Sequence, residues 1–172
     1  MNMSKSSSDD SSSDPSKKDA VEPTRSGGTL PWDLASERLA TSKEYWIATV
    51  RSSGAPHIMP VWGVISENSF YFSSMTSSIK VRNLKANPHI SITSNDPNIP
   101  VVAEGIAEEM DSKEDILRFL EMENEKYGTK MGFSAVDPDF NTNYRCRIIK
   151  IIAIDKKLSP GGPSTWRFSK SL

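Results

Sequence analysis

One cysteine, Cys146, and two histidines, His57 and His89, are the only thiol and imidazole side chains in 172 residues. A lone cysteine closes no disulfide within the chain and builds no thiolate cluster, so no metal site is expected. A reducing, cytoplasmic setting is the simplest inference. Asp137, Asp139 and Asn141 surround Pro138 and do not follow the spacing of a calcium loop; they read as a polar loop. No apolar run nears the length that a bilayer span needs, so no membrane contact is expected. The N-terminus carries no apolar stretch of the kind found in a secretory leader. An excess of either charge is missing too: 21 Lys and Arg against 22 Asp and Glu leave −1, too little field to recruit nucleic acid or an acidic membrane. The basic run Lys80, Arg82, Lys85 reads as the solvated face of one helix rather than a nucleic-acid surface.

What is present divides in two. Residues 1–28 are rich in Ser, with Asp9, Asp10, Asp14, Lys17 and Lys18 and almost no large apolar side chains. Ordering such a segment costs entropy and buries nothing, so a disordered tail is expected there. Residues 29–172 form the second unit, a single domain with 25% charged and 8% aromatic residues counted over the whole chain, ordinary for a globular protein. Asp33 is placed to cap a short helix through Leu39,. Tyr45 to Val50, His57 to Ile65 and Phe70 to Phe72 then read as a meander of three strands. A helix from Ser77 or Ser78 to Ala86 follows, stopped by Asn87-Pro88,. His89 to Thr93 and Pro100 to Glu108 are strands, with Gly105 marking a bulge or close approach,. Asp111 to Tyr127 is the longest helix, with Ile116, Leu117, Phe119 and Leu120 as its apolar stripe and Gly128 at its end,. Arg145 to Asp155 and Ser164 to Phe168 close the chain. Many short strands and few helices predict a mainly β fold with minor α: a small antiparallel, Greek-key-like barrel of about six or seven strands and two or three helices.

Two stretches carry functional information. In His57 to Ile65, Ile58, Trp62 and Val64 share one face while Met59, Val61 and Ile65 share the other. A strand with one wet face alternates apolar and polar residues. This one is apolar on both sides and needs a second cover besides the core, such as a partner subunit or a cofactor. In Ser73-Ser74-Met75-Thr76-Ser77-Ser78-Ile79-Lys80, hydroxyls cluster where a strand hands over to a helix. The free N–H groups and dipole of a helix start favour an anion. Lys80 in the first turn opposes the dipole, which makes sense if an anion such as a phosphate ester sits between. Serine caps and a solvated lysine explain this segment taken alone. The doubly apolar strand beside it shifts the reading toward a ring system with a phosphate. His57 and His89 sit at strand starts and read as exposed or structural.

These same residues carry a resemblance. Trp46 to Val50, Gly54, Pro56, Pro60-Val61-Trp62, Phe70 to Ser73, Ser78, Lys80, Val81-Arg82-Asn83-Leu84 and Asn87-Pro88 resemble the pyridoxamine-phosphate-oxidase-like superfamily of flavin and deazaflavin oxidoreductases. Val102 to Gly105 and Thr165-Trp166-Arg167-Phe168 are similar to its F420-dependent branch, and the likeness runs from Leu30 to Phe168. It implies an FMN-binding split barrel that forms a homodimer, with coenzyme F420 or FMN in a groove at the interface passing hydride to or from a small-molecule substrate. Lys80 would contact the phosphate, helped by Ser73, Thr76 and Ser78, with Ser74, Met75 and Val81 alongside. Met59, Pro60, Val61 and Trp62 would line the ring. The cofactor supplies the chemistry, so no dedicated catalytic residue is assigned. Two departures are visible. Many relatives carry a basic residue around Ser78 or Ile79, which implies a weaker hold on phosphate here. The Arg-rich C-terminal segment of true pyridoxamine-phosphate oxidases does not follow Phe168, so oxidation of vitamin B6 is not expected. A non-catalytic carrier of flavin, haem or bilin on the same fold is the alternative.

Overall fold

β-branched and aromatic residues in short alternating runs dictate strands, and their order is set out here for residues 23–155 and 162–168, which the computed structural model describes. Most of the proposed tail, residues 1–22, lies outside the described residues. In chain order the elements are β1 (Thr24–Ser26), α1 (Trp32–Thr41), β2 (Tyr45–Val50), β3 (Pro56–Val61), β4 (Val64–Ser66), β5 (Ser69–Met75), α2 (Ile79–Ala86), β6 (His89–Ser94), β7 (Val101–Glu109), α3 (Lys113–Tyr127), β8 (Asn141–Ala153) and β9 (Ser164–Arg167). The strands form one antiparallel sheet in the order β1-β9-β8-β7-β6-β2-β3, with β5 pairing both β4 and β8. The mainly β expectation holds, but the described residues contain nine strands and three α-helices rather than six or seven strands.

The long strand β8 decides the shape. On one side it pairs with β7 from Tyr144 to Ala153. On its other side it pairs first with β5, over Asn141 to Arg147, and then with β9, over Lys150 to Ala153. A strand that changes partner halfway opens the sheet into two leaves. Between them lies the main core, where Tyr45, Phe70, Phe72, Tyr144 and Trp166 are almost fully buried. A smaller core of Val64, Ile116, Phe119, Leu120 and Val136 packs under α3. The expected irregularity at Gly105 is a bulge between Glu104 and Gly105. A Cβ there would lie 2.7 Å from the Arg147 carbonyl oxygen, so the close approach of β7 to β8 requires glycine.

Several expectations are corrected. The strand predicted over 57–65 is broken at Trp62-Gly63 into β3 and β4, because the backbone at Gly63 passes against the Phe70 ring and leaves no room for a side chain. Its first half is not half-covered by the core: Ile58, Met59 and Pro60 are all exposed. β3 is a sheet edge, and Pro56 and Pro60, which have no N–H to donate, suit an edge and discourage addition of another strand. Asp33 does not cap α1; Pro31 stands at the cap without a side-chain bond and Asp33 lies in the first turn, where its charge still favours the dipole. Leu117 is exposed, whereas Glu123 joins the buried face of α3. Residues 24–26, assigned to the tail, pair with β9 as β1.

α2 begins and ends as expected. The Ser78 hydroxyl accepts from the Val81 N–H, and Asn87 closes the far end. Buried Asn83 ties the helix to β2 by donating from Nδ2 to the Thr49 hydroxyl at 2.9 Å. Asn83→Ala removes this link and leaves the hydroxyl short of a partner, so urea denaturation should register a loss of about 1–3 kcal/mol.

Candidate functional site

The turn between β5 and α2 gathers hydroxyls around one amine. Side chains alternate along a strand, so Phe70 and Phe72 enter the core and Ser74 continues their face at the open end of β5. The Ser78 N–H donates to the Met75 carbonyl at 2.9 Å and brings Ser78 Oγ to 3.2 Å from Ser74 Oγ. Lys80 Nζ donates to Ser74 Oγ at 3.0 Å. Thr142, directly opposite Ser74 on β8, adds a further hydroxyl, 3.2 Å from Thr76 Oγ1. Of the residues expected at the site, Ser74, Ser78 and Lys80 are thus brought together, with Thr76 joined to Thr142 opposite Ser74.

Other predicted residues lie elsewhere. Ser73 alternates to the opposite face of β5, across from Asn143, and its buried hydroxyl has no partner. Val81 is wholly buried in the core, and its N–H is taken by Ser78 at 3.4 Å, so neither group is offered to a ligand. Met75 is 66% exposed and sits beside Phe140, which is 71% exposed; together they form an apolar rim, joined where the Thr76 N–H donates to the Phe140 carbonyl. On β3, Met59 shares its face with His57 and Val61, whereas Pro60 pairs with Trp46 on the other face. Trp62, 47% exposed, stands at the strand break.

The electrostatics favour an anion. Lys80 is half-buried, and desolvation lowers its pKa. No ion pair among the described residues joins Lys80, Arg51 or Arg82 to a carboxylate. His57 was read from the sequence as exposed or structural, yet its Nδ1 is shielded from solvent with no partner. Its pKa is lowered by desolvation, then by the charges of Arg51 and Lys80. The charges of Lys80 and Arg51 thus act on a neutral His57, and neither cation is paired with a carboxylate among the described residues. Arg51 and Arg82 also line a groove of about 300 Å³ between the β2–β3 turn and α2. An orphaned imidazole nitrogen, an unpaired ammonium and a cluster of hydroxyls fit a phosphate group. His57, Arg51 and Thr142 went unrecognised in the sequence because the pairing that brings them to Lys80 is remote along the chain. The one local sign was the placement of His57 on the doubly apolar strand.

Among the described residues no group of three or more His, Cys, Asp or Glu side chains is arranged to hold a metal ion. No helix there is long and apolar enough to cross a membrane.

The partner exchange along β8, the open groove and the free edge at β3 define a split barrel. The family model described as pyridoxamine 5'-phosphate oxidase matches residues 32–143, and the chain belongs to that family. Solved structures share the fold at low identity. One is an F420 reductase, with a TM-score of 0.56 and 22% identity over 67% of this chain and 93% of that one. Another is an FAD-binding protein from Mesorhizobium loti, with a TM-score of 0.56 and 17% identity over 83% of this chain and 97% of that one. A third is a heme binding protein from Mycobacterium smegmatis, with a TM-score of 0.61 and 18% identity over 78% of this chain and 56% of that one. A search of curated proteins gives no significant match.

The proximity of Lys80 to His57 can be read without a ligand. Repulsion from the ammonium disfavours the imidazolium, so Lys80→Met should raise the His57 pKa toward its ordinary value. An NMR titration of the imidazole protons in which the variant and the parent protein coincide would contradict this placement.

Proposed function

We propose that the chain is an oxidoreductase that binds coenzyme F420 or FMN in the groove between β3 and the β5–α2 turn and transfers hydride to or from a small organic substrate. The observation that carries the reading is the half-buried Lys80 ammonium, held on Ser74 without a carboxylate partner, beside the orphaned His57 nitrogen. Such a site is costly unless an anion completes it. Met59, on the same face of β3 as His57, and Trp62 at the strand break are exposed apolar side chains of the kind a planar ring requires. Besides Lys80, Arg51 and Arg82 line a groove against α2 with no carboxylate partner among the described residues; this is more cationic charge than one phosphate monoester needs, which favours the cofactor with the longer anionic chain, F420.

The tricyclic ring, when bound, supplies the hydride chemistry. The chain's own residues do the rest. Lys80, Ser74, Ser78 and Thr142 fix the phosphate end and so set how far the ring reaches along β3. Met59 and Trp62 exclude water from one side of it. The protein's contribution is thus position and dryness rather than proton transfer.

The other side of the ring needs a cover, and the uncovered surface of β2 and β3 suggests its source. Trp46 pairs with Pro60, Ala48 with Ile58 and Val50 with Pro56 on the outer face, a contiguous apolar surface of the kind that marks an interface. The prolines discourage edge-to-edge pairing, so a second copy would pack face to face. The proposed assembly is therefore a homodimer whose groove is completed by both subunits.

Three measurements test this. Fluorescence titration with F420, FMN and riboflavin should give tight binding of at least one phosphate-bearing cofactor. Lys80→Ala should weaken that binding by about 1.5–3 kcal/mol, the scale of a charged hydrogen bond, and leave the phosphate-free riboflavin unaffected. Equal affinity of variant and parent for every cofactor would remove Lys80 from the site. Cofactor that binds but stays redox-silent with every reductant and acceptor would make the chain a carrier. In sedimentation, Ile58→Asp should convert a dimer to a monomer by burying an unpaired charge; a parent protein that sediments as a monomer at all concentrations would end the homodimer reading.

A further inference from the structure

The break at Trp62-Gly63 is held by a set of contacts that the phosphate end does not use. Tyr127, the last residue of α3, accepts at its hydroxyl from the Gly63 N–H at 2.9 Å and donates to the Gly63 carbonyl at 3.0 Å. Lys126 Nζ donates to the same carbonyl at 2.9 Å and to the Tyr45 hydroxyl at 2.6 Å. That hydroxyl in turn donates to the Leu39 carbonyl at 2.7 Å. The Tyr127 ring lies on the Trp62 indole with centroids 4.4 Å apart and planes 7° from parallel. From the opposite side Gly63 is confined by the Phe70 ring and by the Tyr71 carbonyl, 2.7 Å from where a Cβ would stand.

We propose that the last turn of α3 is the positioning element of the ring wall: Lys126 and Tyr127 grip the Gly63 peptide and back one side of Trp62, fixing the indole plane that the cofactor ring meets. This rests on the reading of the groove as a flavin or deazaflavin site, and it assigns the two residues a role apart from the phosphate. Gly63 has no side chain through which packing could locate it, so its peptide must be located by hydrogen bonds. Tyr127 meets both of its backbone groups. The indole is then backed on one side and about half exposed, the condition for a rigid aromatic surface ready to stack.

The electrostatics are those of a committed position. Lys126 is half-buried, and burial pushes its pKa down to about 8, opposed by the Glu123 carboxylate on the same helix. The titratable groups facing it are Tyr45 from β2 and Tyr127 and Glu123 from α3, while the Glu44 charge acts on Tyr127. The Tyr45 and Tyr127 rings also lie beneath the ammonium, at 4.5 and 5.5 Å from their centroids. Holding an ammonium here, with the Gly63 carbonyl and the Tyr45 hydroxyl as its acceptors and Glu123 nearby, costs desolvation. Its proton is lost as pH rises through about 8, which changes the field at the Tyr127–Trp62 stack.

The test combines a ligand-free readout with a binding readout. Without ligand, the Trp62 component of fluorescence, isolated by difference against Trp62→Phe, should shift with a midpoint near pH 8. The shift should vanish in Lys126→Met. Tyr127→Phe keeps the stacked ring and deletes only the grip on Gly63. It should weaken riboflavin and the phosphate-bearing cofactors by the same factor, up to about tenfold for the loss of hydrogen bonds of ordinary strength. Lys80→Ala should weaken only the phosphate-bearing ones. Circular dichroism on each variant confirms that the fold is kept. Variants that bind like the parent protein, or Tyr127→Phe that loses FMN while keeping riboflavin, would overturn the positioning role alone. A parent protein that binds none of the three ligands overturns the cofactor reading and this inference with it.

Discussion

Everything in this molecule follows from how β8 spends its two edges. One edge is given to β7 over most of its length, while the other is shared in turn by β5 and β9. Hydrogen-bonding groups in a buried strand must all be paired, so the exchange of partners is possible only where a second strand takes over as the first departs. The departure carries β5 away from β9 and ends it at the sheet's open side. There the chain must turn, and the turn becomes the start of α2. The opening and the turn that carries the hydroxyl cluster are consequences of a single change of neighbour on one strand.

The charges separate into two populations for the same reason. On the closed part of the sheet, Lys150 pairs with Glu104 and Arg145 with Glu108 across the β7–β8 ladder, and Arg38 is locked to Asp155 at 2.7 Å. These pairs sit where neighbouring elements supply carboxylates. At the open end Lys80 and Arg51 have no such carboxylate partner, and after desolvation their charges further lower the pKa of His57. Folding alone would select against that arrangement. A ligand carrying negative charge reverses its sign, converting mutual repulsion into shared attraction, which makes the site informative about function in a way the paired charges are not.

The sequence revealed the two ends of the groove unequally. The proposed phosphate end is local: Ser74, Ser78 and Lys80 lie within one strand-to-helix turn, and cap preference and dipole direction suffice to find them. Even there alternation was missed, since Ser73 and Ser74 are neighbours in the chain but face opposite sides of β5. Thr142 and His57 reach the cluster only through strand pairing, which no local rule supplies. At the ring end, nine consecutive residues with β character from His57 to Ile65 read as one strand. The interruption at Gly63 depends on Phe70 and on Tyr127, the latter sixty-four positions away along the chain. The strands, bulge and helix ends were legible because propensity, turns and caps act over a few residues. The split itself was legible only by resemblance.

That inequality has a physical meaning. A phosphate is small and strongly charged, and a few donors on one turn can hold it with little help from the rest of the fold. A ring is broad and weakly polar. Holding it takes surfaces from separate elements that are stiff relative to one another. α3 belongs to the smaller core, with Val64 and Val136, whereas Tyr45 and Phe70 belong to the larger one. Lys126 and Tyr127 reach from the first core to the second, and Gly63 is the point where they meet it. The stack on Trp62 therefore ties the ring wall to the relative placement of two cores. A change in the packing of α3, far from any phosphate donor, would be felt at the indole before it was felt at Lys80.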